Sequence, residues 1–303
     1  MSKKHITLYG LSTPPIKEVF KWKLGSLFQK KRPPVTDDNF SLEVHTLSKK
    51  SLEKKEDFIL WLGHATFLIQ LDGIRILTDP VFGGMPMFPR LAEFPIDPIH
   101  LQPDIIVISH GHYDHLDLKS LEALGIYDKQ IPLILPSDLS SYLKPNANTT
   151  ELEWYEKHQH KSITITALPA SHWHRRGAFD FNRALWCSFL IEYDGKCIFF
   201  AGDTAMDNHF TEIAERIPNI DIALMPIGAY LPRSIMRESH MDPAEALHAT
   251  QILGATQMIP YHYGTFKLSD EPIGEPHSWI TRLADESEMD IRILDVGEIF
   301  PIA

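Results

Sequence analysis

Residues 109–117 read Ser-His-Gly-His-Tyr-Asp-His-Leu-Asp, so His110, His112, Asp114 and His115 offer four metal-ligating groups within six positions. Imidazole nitrogens and carboxylate oxygens are the donors that hold zinc and similar divalent ions. Alternation along an extended segment puts His110 and His112 on one side, while Asp114 and His115 can reach a second centre. A polar surface loop that happens to be rich in histidine is the bland alternative. Four good donors at the end of an apolar run, around a turn tightened by Gly111, are a costly accident. Three further donors, His172, Asp203 and His262, follow short apolar runs of their own. Each alone is ordinary. As a set they suit two ions: His110, His112 and His172 on one, Asp114, His115 and His262 on the other, and Asp203 between. Zinc is the ion expected, and manganese or iron suits the same donors. A water bridging two such ions loses its proton near neutral pH and can attack a phosphorus or carbonyl centre.

Such a set works only if the chain brings its members together. Short β-rich runs bounded by turn residues predict strands over 58–62, 66–71, 74–78, 105–109, 163–168, 185–193, 196–201, 220–226 and 257–260. Helical patterns fall at 116–124, 209–216, 243–253 and 278–285. The third is the clearest, with Asp242 as cap, Pro243 at the first position and Glu245 completing a capping box. If the ligand-bearing strands share a direction, their C-terminal ends gather the donors on one edge. Two stretches resemble each other: each has an Asp-Gly hairpin (Asp72-Gly73, Asp194-Gly195) whose second strand leads to an aspartate, Asp79 or Asp203. That hints at an internal duplication. Strands in both halves, with helices between, favour two packed sheets covered by helices.

At this point the residues resemble a known superfamily. The His-x-His-x-Asp-His run, a later lone histidine, a Gly-Asp-Thr aspartate and a final histidine are similar to the metallo-β-lactamase fold. The resemblance is nearer to bacterial metal-dependent hydrolases related to the phospholipase D that hydrolyses N-acyl-phosphatidylethanolamine. It rests on Trp61-Leu62-Gly63-His64-Ala65-Thr66, Leu77-Thr78-Asp79-Pro80, residues 110–117, Ser171-His172-Trp173, Ala201-Gly202-Asp203-Thr204, Pro226-Ile227-Gly228-Ala229-Tyr230, residues 240–245 and 262–266. These cover the chain from about Phe58 to its end, in matching order. The resemblance implies an α/β (α+β) fold, a four-layer αββα sandwich over residues 56–303. Residues 1–55 form an N-terminal extension, partly helical. Two features depart from the pattern: His174 stands where a small residue is expected, and Tyr263 where the lipase has tryptophan.

Roles within and around the ligand set can also be assigned. Asp114, Asp203 and His240 are the expected catalytic residues, and His64, Tyr230, Arg233 and His240 the expected substrate side. His64 and Asp79 would also orient the ligands. His240 precedes the capped helix, whose N-terminus favours anions, and there it can contact a phosphate or help a leaving group. A histidine buried in a loop is the plainer reading of it, and surface roles are the plainer reading of Tyr230 and Arg233. The other histidines (His45, His100, His158, His160, His209, His248, His277) lack a matching context. The expected reaction is hydrolysis of a phospholipid or related phosphodiester in the manner of a phospholipase D. A lactonase acting on a sugar-phosphate lactone and a non-catalytic metal-binding scaffold are the alternatives; the full ligand set favours the enzyme.

Composition limits the partners. Among 303 residues, Lys and Arg number 29 against 40 Asp and Glu, a net charge of −11, which argues against a general nucleic-acid binder. No apolar run approaches the roughly eighteen residues of a membrane span, and no secretion signal opens the chain, so the expected location is cytoplasmic. Within residues 14–32, Ile16, Val19, Phe20, Leu24, Leu27 and Phe28 form a stripe among lysines. That is the composition of a helix lying on an anionic membrane, which would make the protein peripheral to the inner face. Packing of the stripe on the enzyme is the favoured reading, because Gly25 weakens the helix. Residues 82–98, apolar and rich in Met and Pro, read as a lid or as an ordered structural loop. Cys187 and Cys197 lie too far apart across the second hairpin to bridge, and read as small core residues.

Overall fold

Along the first strand, Phe58 and Leu60 pack to one side and Ile59 and Trp61 to the other, and all four are buried. This two-sided burial is why its sequence is continuously apolar and not alternating. The same division holds along the neighbouring strands: Phe67, Ile69, Ile76 and Val107 enter the core between the two sheets, while Leu68, Leu77 and Ile106 face an outer layer. The computed structural model describes residues 9–10, 17, 39–85 and 87–302.

One sheet contains β1 (Phe58–Trp61), β2 (Phe67–Leu71), β3 (Ile74–Thr78), β4 (Ile105–Val107), β5 (Leu133–Pro136) and β6 (Thr149–Leu152). The other contains β7 (Lys157–His160), β8 (Ile163–Leu168), β9 (Ser188–Tyr193), β10 (Lys196–Phe200), β11 (Ile222–Pro226), β12 (Gln257–Tyr261) and β13 (Asp290–Ile291). The last strand, β14 (Ile299–Pro301), returns to the first sheet and pairs with β1. Each sheet has seven strands, in the orders β14-β1-β2-β3-β4-β5-β6 and β7-β8-β9-β10-β11-β12-β13. Read in that direction, both run through three antiparallel pairs and then three parallel ones. The duplication hinted at by the two hairpins therefore extends over every strand of both sheets. It makes β3 the counterpart of β10, and Asp79 the counterpart of Asp203.

Helices α1 (Leu118–Leu124) and α2 (Ile126–Lys129) cover the first sheet. On the second lie α3 (His209–Arg216), α5 (Pro243–Leu253) and α6 (Glu275–Glu286), with the short α4 (Arg233–Met236) leading into α5. The result is the expected αββα sandwich. Helix α5 starts as predicted: the Asp242 carboxylate accepts from the backbone of Ala244 and Glu245, and Glu245 returns a bond to the Asp242 N–H. None of the described helices is long and apolar enough to cross a membrane.

Several boundaries shift for identifiable reasons. The 105–109 strand ends at Val107, because the Ser109 N–H turns to the Asp79 carboxylate. The 185–193 strand starts at Ser188, since the N–H groups of Leu185 and Cys187 go to Ser137 and Ser109 of the other half. The helix expected from 116 begins at Leu118, with Asp117 as its cap. Cys187 and Cys197 are free thiols, the first buried and the second only half-buried, so Cys197 is not the core residue expected. Leu42 and Leu52, from the expected N-terminal extension, are buried in the sandwich, and Val44 bridges to Val296. The apolar stripe expected within 14–32 lies outside the described residues.

Candidate metal centre

Strand direction gathers the donors. β3 and β4 run together in the first sheet, and β8, β10, β11 and β12 run together in the second. The segments that follow them meet at one edge of the sandwich, where His110, His112 and His172 converge with donor atoms within 4.8 Å of one another. The Nε2 atom of His110 lies 2.9 Å from His112 Nδ1, and His172 Nε2 lies 3.1 Å from the same nitrogen. A second cluster joins Asp114, His115 and His262, and brings His64 with them. Asp203 sits between the clusters: its Oδ2 is 3.2 Å from His115 Nε2 and 4.0 Å from His110 Nε2, and its Oδ1 is 3.0 Å from His262 Nε2.

The electrostatics of this edge call for cations. His115 Nε2, His262 Nε2, His112 Nε2 and Asp203 Oδ1 are buried and make no hydrogen bond, because their close neighbours are not in bonding geometry. Orphaned polar atoms of this kind are rare inside proteins and need an explanation. Although burial opposes it, His115 holds Asp114 well below the usual carboxylate range, and His115 and His262 do the same for Asp203. In turn the carboxylates outweigh burial and raise His262 to about 9 and His115 well above the ordinary histidine value. Burial, with like-charged neighbours, pushes His110 well down, and burial takes His112 and His172 to about 3. The carboxylates thus favour positive charge at His115 and His262, the positions where cations are needed. Neutral imidazoles face inward and two ionised carboxylates flank the gap, a donor set that fits divalent ions.

Around the donors lies a ring of orienting contacts. Asp79 accepts from the Ser109 N–H at 2.7 Å and the Ser109 hydroxyl at 2.6 Å, and its Oδ2 stands 2.7 Å from His115 Nδ1. Burial pushes its carboxyl up despite these bonds. His64 Nε2 meets Asp114 Oδ2 at 3.1 Å, while its own N–H donates to Thr265 Oγ1 at 2.8 Å. His172 Nδ1 is held by the Ser239 carbonyl at 3.0 Å. His64, Asp79 and His262 all have left-handed backbone, with φ of +54°, +33° and +68°. Non-glycine residues held there carry strain, and such residues cluster at functional sites.

The expected substrate side divides. His240 reaches the centre: its Nδ1 is buried without a bonding partner, 3.8 Å from Asp203 Oδ2, and burial lowers it to about 3. Access is from its side, because His240 and Asp114 are 12 % and 15 % exposed while Asp203 is 2 %. Tyr230 does not face a substrate. It is buried and its hydroxyl donates to Glu275 at 2.6 Å, since the left-handed turn at Ala229 carries it inward. Arg233 is likewise committed elsewhere, paired with both Glu245 oxygens at 2.6 and 2.7 Å and donating to the His240 carbonyl at 3.2 Å. It therefore holds His240 in place, with its side chain 28 % exposed. Neither Glu245 nor Glu275 carried a sequence signal for this role beyond Glu245's place in the capping box.

One departure from the family pattern also gains an explanation. His174 is buried behind the ligand loop, and a Cβ on Gly111 would fall 2.2 Å from its ring, so Gly111 is needed for room. Arg176 Nη1 donates to the carbonyls of Gly111 and Leu116, both at 2.8 Å, and its guanidinium stacks on Tyr113 at 4.2 Å. In the 82–98 segment, Arg90 donates to the carbonyls of Ala92, Val81 and Leu62, which orders the loop. Met87 is left 84 % exposed at its tip.

Comparison with known proteins agrees with this geometry. Residues 74–263 match the family model described as a beta-lactamase superfamily domain. The chain is 32 % identical to N-acyl-phosphatidylethanolamine-hydrolyzing phospholipase D 1 of Caenorhabditis elegans, over 98 % of this chain and 90 % of that protein. It is 29 % identical to a UPF0173 metal-dependent hydrolase of Pyrobaculum aerophilum, over 80 % of this chain and 99 % of that one. Among solved structures, a metallo hydrolase from Ignicoccus hospitalis superposes with a TM-score of 0.60 at 20 % identity, covering 82 % of this chain and 98 % of that one.

Proposed function

The chain belongs to the beta-lactamase superfamily domain family and is a metal-dependent hydrolase, and from that premise we propose that it is a binuclear phosphodiesterase acting on a phospholipid. The observation that carries the binuclear reading is the division of seven donors, five of them buried, into two clusters with Asp203 between them. His110, His112 and His172 would hold one ion, Asp114, His115 and His262 the other, and Asp203 would touch both. When bound, two such ions supply Lewis-acid polarisation of a phosphoryl oxygen and a water activated near neutral pH. Asp79 fixes the ring of His115, and Ser239 fixes that of His172, so neither imidazole has to reorganise as the reaction proceeds. His240, held by Arg233, offers an N–H to the phosphoryl oxygens or the departing alcohol from the open side. Phosphodiester chemistry is favoured by the name of the nematode relative, and N-acyl phospholipids are the substrates to try first.

The test pairs metal analysis with an assay. Purified protein should carry about two ions per chain and hydrolyse bis-p-nitrophenyl phosphate, and a chelator should abolish the activity. Asp203→Ala should lose bound metal and activity together. An active, metal-free Asp203→Ala protein would sink the proposal. Lactone hydrolysis without phosphodiesterase activity would move the substrate to a sugar lactone.

A further inference from the structure

A stretch of chain distant in sequence lies directly on one of the donors. Gly10 packs on the backbone of His172 so closely that a Cβ there would fall 1.8 Å from the His172 carbonyl oxygen and 2.8 Å from its carbon. Its φ is +99°, in the region that favours glycine. Space and backbone conformation both exclude any other residue unless Gly10 or His172 moves. The preceding residue is anchored. The Tyr9 hydroxyl donates to Glu212 Oε2 at 2.7 Å, while Glu212 Oε1 accepts from Tyr155 at 2.6 Å and pairs with Arg216 at 2.9 Å. The Tyr9 ring rests against Trp154 and His209, at centroid distances of 6.0 and 5.5 Å. His209 in turn meets Thr204 Oγ1 at 3.1 Å, and that hydroxyl oxygen accepts from the Ser171 N–H at 2.9 Å. The anchor therefore connects to the residue before His172 and the residue after Asp203.

We propose that Tyr9 and Gly10 are positioning residues, a brace that fixes the main chain of His172 and thereby tunes the three-histidine site selectively. His172 is held from two sides, by Ser239 on its ring and by Gly10 on its carbonyl, and by no long regular element at that point. A shift of its main chain moves Nε2 away from His110 and His112, while the described contacts of Tyr9 and Gly10 reach His172, Glu212, Trp154 and His209 and none of Asp114, His115 and His262. This inference rests on the two-metal reading above.

The experiment measures zinc stoichiometry and the zinc affinity of each site, by chelator competition, on the full chain. Gly10→Ala should weaken one of the two zinc ions about 10- to 100-fold and leave the other unchanged. Tyr9→Phe, which fills the same space, should act in the same direction by several-fold. Gly73→Ala is the control: it imposes the same left-handed strain where a Cβ meets nothing, and should alter neither affinity. In a His172→Ala background, Gly10→Ala should add no further loss, because both act on one ligand. Unchanged zinc affinities in Gly10→Ala would overturn the brace, as would equal losses at both sites that add to His172→Ala. Wild-type protein with a single ion, lost in His172→Ala, would instead refute the two-metal reading and still test the brace on that ion. Wild-type protein that binds no zinc would refute both.

Discussion

At the scale of single residues, partners decide what a side chain is for. His240 lies in a matching segment and Arg233 outside one; one imidazole nitrogen is buried beside Asp203 and unpartnered, while the guanidinium is paired with Glu245. His240→Asn should therefore lower kcat by about 10²- to 10⁴-fold with metal content unchanged, as expected for loss of a proton-handling group in the transition state. Steady-state kinetics with elemental analysis on the same sample check this, and unaltered turnover would remove His240 from the mechanism. The seven proposed ligands were legible as a set, because four donors fall within six positions and three more follow apolar runs. Tyr230 and Arg233 were not, because a residue's type does not reveal that Glu275 or Glu245 will be waiting for it in the fold. Arg176 was not singled out, because its work on three-dimensional neighbours has no linear signature.

At the scale of elements, the ligand loop between β4 and α1 has little regular structure to hold it, and Arg176 supplies what the loop lacks. It bonds the carbonyls of Gly111 and Leu116, and its main-chain N–H is itself fixed by Asp180. Charge-assisted bonds to buried carbonyls are worth about 1.5–3 kcal/mol each, and removing their donor leaves acceptors unsatisfied. Arg176→Ala should lower the unfolding temperature by several degrees, at roughly 2–4 °C per kcal/mol for a chain approaching this size, and weaken metal binding. Thermal unfolding and zinc titration measure both; an unchanged melting point would mean that the loop is held by other contacts. Elements were legible where both faces are buried, as in β1, β2 and β11, whose residues are all apolar or nearly so. The edges were missed, and so was the interior β5, a buried apolar run of only four residues. β7 is Lys-His-Gln-His with alternate residues exposed, and β13 has two residues, so neither offers an apolar run to read.

At the scale of the molecule, the proposed ligands come from both sheets: His110, His112, Asp114 and His115 follow β4, whereas His172, Asp203 and His262 follow strands of the second sheet. Ions held there would couple the halves. Chelation should lower the unfolding temperature of the whole protein in one transition, since ligand at a thousand times its Kd contributes about 4 kcal/mol to the folded state. Calorimetry with and without chelator checks this, and a melting point indifferent to metal would contradict ligation across the two sheets. The repeat behind this arrangement was visible in sequence only as two Asp-Gly hairpins, because strand orientation and order belong to the sheet and not to local composition. The two halves are also crossed at their extremities. β14, from the second half of the chain, closes the edge of the first sheet, while Tyr9 and Gly10, from the first half, lie against the second. A protease cut in the turn between β6 and β7 would therefore give fragments that remain clasped, each lending the other a piece it cannot fold without giving up.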